Sequence, residues 1–576
     1  MNAYITILIG GIQGEGIAST AINLMKALSE LGYYTFGERK FSSTIKGANT
    51  HTIITISNHP VHCCEHHYDV ILAFDKDTVM LNRSDLKPHG ALLVDETVDA
   101  GVVDHSAEKI MVLPMTSLAK KHGTLLMKNT CAIGFLGRVL QLEQSALEES
   151  LLNTYQNRTE EVVKQNIEVL NAAYKHETNQ LMKLSLLPAK DGTDAPLVLM
   201  MGNDAITLGA LMAGCRFVAA YPITPASDMM DVMGRALRSE GGIMIQTEDE
   251  IAAVIMCIGA GYAGVRSMTA TSGPGLSLMV EGMGLAGMTE TPIVIVDAQR
   301  AGPSTGMPTR TEQGDVSFLY YGGHGEYPMI ILTPSTIHEC YDLTIDAFQL
   351  ADQYQCPVIV LTDLNLCLSP QTIPELTYKP VRIDRGEIIL KEDQHKNTGE
   401  PYPRYAQTET GISPRSFPGM AGGIHHATGL EHSITGQPTD QPINRTMMMD
   451  KRLRKTIQLE DENAVHIEEN DGKLLCLTYG SPWGVLKEAM KDKKLPVDIA
   501  HISRIRPLPV KQLSRLLNGY HKIVVMEQNH NGQLAGILKH ELGMNDKILS
   551  LTRYDGLSFK TKNVYEALEG WCKEWK

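Results

Sequence analysis

Short continuous apolar runs, glycine-rich turns and stretches of helical periodicity follow one another along most of this chain. Tyr4–Ile9 (YITILI) has the length and composition of a buried strand. After the turn Gly10-Gly11-Ile12-Gln13-Gly14-Glu15-Gly16, Ile17–Leu31 places apolar residues at helical spacing and ends at Gly32, a natural helix stop. Val70–Phe74 and Ala91–Val94 predict further strands, and Arg158–Leu187 predicts a long closing helix. Pro188–Pro196 (PAKDGTDAP) has the composition of a linker. The pattern predicts a first α/β unit over residues 1–187, opening as a strand, a glycine turn and a helix.

A second α/β unit is expected over 197–369. Within it, Gly202–Asp315 repeats one arrangement three times: a short apolar run, a loop rich in Gly, Pro, Ser and Thr, then helix-like sequence. Ser267–Thr271 is followed by Ser272-Gly273-Pro274-Gly275 and the helical stretch Leu276–Ala286; Ile293–Val296 runs into Arg300. Residues 370–471 carry few apolar runs and are rich in Pro, Gly, His and Thr, which predicts an elaborated connection packed on a neighbouring surface. The basic run Lys451–Lys455 (KRLRK) within it is expected to be one face of a solvated helix. From 472 to 576 the α/β pattern returns, with strands at Leu474–Thr478 and Ile523–Met526 and helices at Val485–Met490 and Val510–Leu517. The expected fold class is α/β, with several doubly wound domains.

Composition narrows the function without naming it. The 576 residues exceed one core, and 43% hydrophobic with 20% charged residues is the balance of a globular protein. A net charge of −14 argues against a dedicated nucleic-acid binder. The longest uncharged apolar stretch, Ile251–Val265, is too short to span a bilayer, and the first residues lack a basic leader, so no membrane association and a cytoplasmic location are expected. The ten cysteines form no CxxC, and neither a disulfide framework nor an iron–sulfur cluster is predicted in this chain. The one dense group, His62-Cys63-Cys64-Glu65-His66-His67, reads as a surface turn, because adjacent cysteines reach one metal only with strain. No metal site is predicted.

Candidate chemistry gathers on the three loops, which in an open α/β sheet lie along the carboxyl edge where ligands bind. Ser272 and Gly273 would let backbone approach a ligand closely, or form an ordinary strand-to-helix turn. Glu250 opens the glycine-studded helix Ile251–Gly264; it either serves the helix dipole, as Glu248 and Asp249 are expected to do, or shares a proton with a ring nitrogen in an apolar setting. Arg300, near Ser304, Thr305 and Thr309, suits a carboxylate or phosphate, or a structural salt bridge. The first glycine turn is spaced GxxGxG, a weak match to a nicotinamide fold. Lys46, in Phe41–Thr50, reads by itself as a solvated lysine.

Taken in order, YPITP at Tyr221–Pro225, TEDEIAA, TATSGPG and QRAGPSTGMPT resemble the α subunit of 2-oxoacid:ferredoxin oxidoreductases, of the kind with the γ domain fused at the N-terminus. GGIQGEGI and STIKGANTH resemble that fused domain, with Ala48 where a second glycine is common; GGHGEYP, ATGLEH and VVMEQNHNGQLA also fit. The resemblance implies a Rossmann-like γ domain, a pyrimidine-type thiamine diphosphate domain and a transketolase C-terminal-like domain. It implies thiamine diphosphate shared with a β subunit that holds Mg2+, the diphosphate and a 4Fe-4S cluster, in an α2β2 assembly with ferredoxin and coenzyme A as further partners. The diphosphate signature GDG is absent here, in keeping with that split. By resemblance Glu250 bonds the aminopyrimidine and promotes deprotonation of the thiazolium carbon, and Tyr221, Pro222, Ile223, Ser272 and Gly273 line the cofactor. Thr224 bonds the reacting oxoacid, Arg300 and Thr309 meet its carboxylate, and Lys46 becomes the γ-domain lysine that reaches the active site. Two cations, Lys46 and Arg300, would suit the dicarboxylate 2-oxoglutarate, since burying a distal carboxylate alone is unfavourable. Pyruvate, a branched-chain oxoacid, a transketolase-like ligase and a non-catalytic nucleotide-binding protein are the alternatives.

Overall fold

The computed structural model describes residues 4–41, 47–99, 109–177, 181–189, 196–377, 381–389, 401–491 and 495–574. They form two compact units, Met1–Met201 with Leu368–Thr377, and Gly202–Cys367 with Tyr378–Lys576.

The first unit is built on an eight-stranded sheet. Its parallel half runs Lys109–Leu113, Leu86–Asp95, Tyr68–Ala73, Tyr4–Ile12. Asn49–Ser57 and Tyr34–Lys40 continue it antiparallel. The apolar runs expected as strands are strands because both faces are covered: Ile5, Ile7, Leu8, Ile9, Val70, Ile71 and Leu72 are all fully buried. Ile17–Glu30 is the predicted helix, and Gly32 leaves it at φ 82°, a left-handed conformation that a side chain would strain. The predicted closing helix is shorter than its pattern. It spans Glu160–Lys175, and residues 181–189 are not helical, with Leu184 and Leu186 buried at a spacing of two and the Leu184 N–H donating to the Val139 carbonyl at 2.8 Å. Leu181, Leu184 and Leu187 also keep the helical spacing of three, so a stretch this short satisfies either periodicity. Two short strands, Gln371–Pro374 and Leu197–Met200, complete the far edge of this sheet. The pattern expected them to open the connection and the second unit; a four-residue strand signal does not say which sheet edge will pair with it.

The second unit contains a seven-stranded and a five-stranded sheet flanked by helices, an α/β architecture. In the first, the strands Ile330–Leu332, Pro357–Asp363, Ile293–Gln299, Ser267–Thr271, Phe217–Ala220 and Ile243–Gln246 are neighbours in that order and all parallel. The second is ordered Val465–Glu468, Val497–Ile502, Leu474–Thr478, Lys522–Glu527, Ile548–Thr552. One apolar core runs through both, from Ala219 and Ile295 to Leu475 and Val525. Arg504–Arg506 pairs onto the edge of the seven-stranded sheet.

The connection is anchored by buried charge. Asp352 accepts from Arg266 at 2.8 Å and Arg415 at 2.7 Å and forms an ion pair with Arg385 at 3.1 Å. Glu290, fully buried, meets Lys451 at 2.7 Å, Lys455 at 2.6 Å and Arg404 at 3.8 Å. This corrects the solvated-helix expectation for KRLRK. Lys451, Arg452 and Lys455 are buried, because Glu290 and Glu431, far away in sequence, supply their counter-charges.

Candidate active site

Four adjacent parallel strands deliver their following loops to one edge of the seven-stranded sheet: Tyr221–Pro225 after Phe217–Ala220, Glu250 after Ile243–Gln246, Ser272 and Gly273 after Ser267–Thr271, and Arg300 after Ile293–Gln299. Parallel strands send every carboxyl end the same way, so residues separated by up to eighty positions are brought together.

Glu250 is the first residue of the helix Glu250–Tyr262. Asp249 caps that helix, accepting the Ala252 N–H at 2.7 Å, and its own carbonyl receives the Thr247 hydroxyl at 2.8 Å. Asp249 thus does the dipole work that the sequence suggested, and Glu250 is left for another role. It is buried, and no hydrogen-bond donor among the described residues reaches its carboxylate. Gly275, in the first turn of the facing helix Gly273–Met288, gives it room: a Cβ there would collide with Glu250 Oε1 and Thr271 Oγ1. The Ser272 hydroxyl, buried at the end of its strand, has no partner.

Tyr221–Pro225 is held from two sides. Asn203 donates to the Pro225 carbonyl at 2.9 Å, and Arg300 Nη1 donates to the Thr224 carbonyl at 2.8 Å. Tyr221 and Pro222 are exposed while Ile223 and Thr224 are half-buried. Arg300 is buried, its Nε without a partner. Thr309 is half-buried on the loop that follows, which folds back through Ala301 N–H to the Arg310 carbonyl and Met307 N–H to the Ala301 carbonyl.

Three acids beside Arg300 were not singled out by sequence reasoning. Asp297 is fully buried on its strand with neither carboxylate oxygen partnered; burial and then Asp315 push its pKa far up. Asp315, whose Oδ2 is also buried and unpartnered, is pushed up to about 6 by burial, partly offset by Arg300. Its Oδ1 fills the place a Gly273 side chain would take, 2.6 Å from that Cβ position. Glu312 rises to about 7 through burial and the neighbouring Asp315. Arg300, Glu312, Asp315, Gly273, Pro274 and Gln533 line a cavity of about 760 Å³. The only sequence signal for these acids was their nearness to the glycine-rich loops.

Lys46 lies outside the described residues. The His62–His67 group disperses: Cys64 Sγ bonds the Phe36 and Ile53 carbonyls and burial drives its pKa up, His66 faces Glu38 at 3.7 Å, and His62 Nδ1 meets Gln371 at 3.4 Å. No helix among the described residues is long and apolar enough to cross a membrane.

Comparison with known proteins identifies the scaffold. The family described as pyruvate flavodoxin/ferredoxin oxidoreductase, thiamine diP-binding, matches residues 208–451, and pyruvate ferredoxin/flavodoxin oxidoreductase matches residues 6–176. A 2-oxoacid:ferredoxin oxidoreductase subunit alpha from Sulfolobus sp is 32% identical over 97% of this chain and 96% of its own. The chain belongs to the 2-oxoacid:ferredoxin oxidoreductase α-subunit family. The 2-oxoglutarate synthase subunit KorA of Methanocaldococcus jannaschii is 39% identical over 64% of this chain and 99% of its own. The solved 2-oxoglutarate:ferredoxin oxidoreductase from Magnetococcus marinus, with 2-oxoglutarate, coenzyme A and succinyl-CoA bound, matches with a TM-score of 0.89 at 33% identity, over 99% of this chain and all of that one. This oxidoreductase α subunit therefore carries the family's thiamine diphosphate-binding domain, and the four loops described above lie within it.

Proposed function

We propose that this α subunit acts with a β subunit in the oxidative decarboxylation of 2-oxoglutarate to succinyl-CoA, passing electrons to ferredoxin. The observation that carries the reading is the buried Glu250 carboxylate, bare of donors, at a helix start cleared by Gly275. Together with the unpartnered Ser272 hydroxyl, it fits an aminopyrimidine ring, whose nitrogen would supply the missing proton donor. Thiamine diphosphate, when bound, supplies a carbon nucleophile and an electron sink for decarboxylation.

The residues of this chain then have distinct tasks. Glu250 holds or shares a proton at the pyrimidine nitrogen, in surroundings dry enough to make that bond strong. Tyr221, Pro222 and Ile223 flank the ring beside Gly273. Arg300 fixes the height of the Thr224 loop through its Nη1 bond and keeps its unpartnered Nε for an incoming carboxylate, while Thr224 and Thr309 offer hydroxyls to the oxoacid. Burial holds Glu312 and Asp315 toward their neutral forms, so the cavity wall repels an anion less than two ionised carboxylates would.

A partner subunit is supported by the apolar rim next to Glu250. Ile251 and Ile255, one turn apart on its helix, are 50% and 40% exposed, and Leu278 on the neighbouring helix is 50% exposed. A β subunit there would complete the cofactor site and carry the Mg2+ and the 4Fe-4S cluster, in an α2β2 assembly. The choice of 2-oxoglutarate rests on the similarity to the two 2-oxoglutarate proteins named above and on the cationic Arg300, with Lys46 a second cation only by the resemblance of its motif.

The test is viologen reduction by the chain co-expressed with its β partner, with thiamine diphosphate, Mg2+ and coenzyme A. Preference for 2-oxoglutarate over pyruvate is expected, and Arg300→Ala should raise KM for the oxoacid ~10–100-fold, the worth of one charged hydrogen bond. Preference for pyruvate would discard the dicarboxylate assignment, and an unchanged KM would remove Arg300 from the binding site.

A further inference from the structure

Apart from the four cofactor loops, the seam between the two sheets of the second unit gathers two histidines and a glutamate. The strands Val465–Glu468 and Val497–Ile502 pair antiparallel with His466 directly opposite His501. Directly opposed residues project from the same face of a sheet, and here the two imidazoles lie 4.9 Å apart, 21° from parallel. Glu339, in the first turn of the helix Ile337–Tyr354, comes to them from the seven-stranded sheet. Its Oε2 is fixed by the Ser335 N–H at 2.7 Å, which leaves Oε1 aimed at His501 Nε2, 2.6 Å away. One donor atom from each of the three residues lies within 4.8 Å of the others.

We propose that Glu339, His466 and His501 bind a divalent transition-metal ion, zinc by the chemistry of the set. Two imidazole nitrogens and a carboxylate oxygen suit a borderline cation; Mg2+ and Ca2+ favour oxygen donors. The short Glu339–His501 bond is held by a proton, and a metal ion displaces that proton to solvent as the two ligand atoms part to about 3.3 Å, the separation that tetrahedral ligation needs. The carboxylate is pre-oriented as a one-oxygen donor by the Ser335 bond, the outer support that bound metals use to fix their ligands. Trp483, 4.6 Å from the His501 ring, closes the inner side, while His466 is exposed and gives the ion an entry path and a position open to water. None of the three residues belongs to the four loops that carry Tyr221, Glu250, Ser272 and Arg300. The ion would clasp the helix Ile337–Tyr354 to the five-stranded sheet and fix how the two sheets meet.

The chain purified with its partner subunit, dialysed against a chelator and re-loaded, tests this with zinc content by mass spectrometry and with Co2+ as an optical probe of tetrahedral ligation. His466→Ala sits at an exposed position on an edge strand and leaves the fold intact; Glu339→Gln removes the anionic donor while keeping the shape. The wild-type chain is expected to retain one zinc more than either variant, each variant binding it at least ~10–100-fold more weakly. Zinc should raise the unfolding temperature of the wild type and leave both variants unmoved. Equal zinc content and affinity in the wild type and either variant, or no zinc-dependent shift in the wild type, would overturn the assignment and leave a plain hydrogen-bonded pair. Because the readouts are metal content and unfolding, they do not depend on which oxoacid the enzyme uses.

Discussion

Replacing Glu290 by Gln should destabilise the second unit far more than removing any one of the cations around it. Glu290 stands at the end of the helix Gly273–Met288, whose other end carries Gly273 and Gly275, and among the described residues it is the single carboxylate paired with Lys451, Lys455 and Arg404. Burial alone would raise its pKa, but Lys455, Lys451 and Arg404 hold it well below the ordinary carboxylate range. Burial in turn pushes Lys455 down to about 7 even with Glu290 beside it, a sign that positive charge is in excess here. Taking away the acid leaves Lys451 and Arg404 with no counter-charge and drives the Lys455 proton off, and breaking such a buried pairing usually loses about 3–5 kcal/mol. With an unfolding entropy of about 2 cal/mol/K per residue over about 350 residues, that loss lowers Tm by about 4–7 °C. Lys451→Met leaves Glu290 still paired to Lys455 and relieves repulsion, so it should lower Tm by less than half as much. Scanning calorimetry of both variants at one scan rate measures the asymmetry. A Glu290→Gln protein within about 1 °C of the wild type, or a Lys451→Met protein equally damaged, would refute the charge argument.

Glu250→Gln should unfold like the wild type, since no neighbour donates to the carboxylate, yet lose ~100-fold or more of oxoacid-dependent dye reduction; near-normal turnover in a cofactor-loaded sample would remove its proton role. Asp315→Asn should alter how stability depends on pH. The folded pKa of Asp315, about 6, lies above its unfolded value, so its contribution is full below about pH 4 and is lost as pH rises through 6. Relative to the wild type, the Asn variant should gain stability between about pH 4 and 7, by at most about 3 kcal/mol, the linkage worth of a shift of about 2 units. Parallel stability curves for the two proteins across that range would contradict the burial of this carboxyl group.

Much of the fold is legible in the chain because its strands are buried on both faces. Runs such as Tyr4–Ile12 and Ile293–Gln299 read as strands without knowledge of their neighbours, and the loops after them read as ligand-bearing because parallel strands share one edge. Chain order assigned Asp249 to the helix start, where it is the cap, and left Glu250 open between the same task and sharing a proton. Where the pattern was short it failed. The stretch around Leu184 and Leu186 is not helical although its spacing fits a helix, and Leu197–Met200 joins a sheet edge that its own four residues do not specify.

The sequence by itself determined the family, the order of the elements, and the loops that carry Tyr221, Glu250, Ser272 and Arg300, since each of these depends on residues close together in the chain. Tertiary structure alone decided which charges are buried and which acids meet. Lys451 and Lys455 look like surface residues until Glu290, 161 positions from Lys451, is brought against them. Asp297 and Asp315 become unusual acids only when strand and loop shut out water around them, and His466, His501 and Glu339 meet only when two sheets are joined. The reason is common to all: periodicity reports which face of an element is apolar, whereas the energy of a charge depends on the groups and the solvent around it, which chain order does not encode locally.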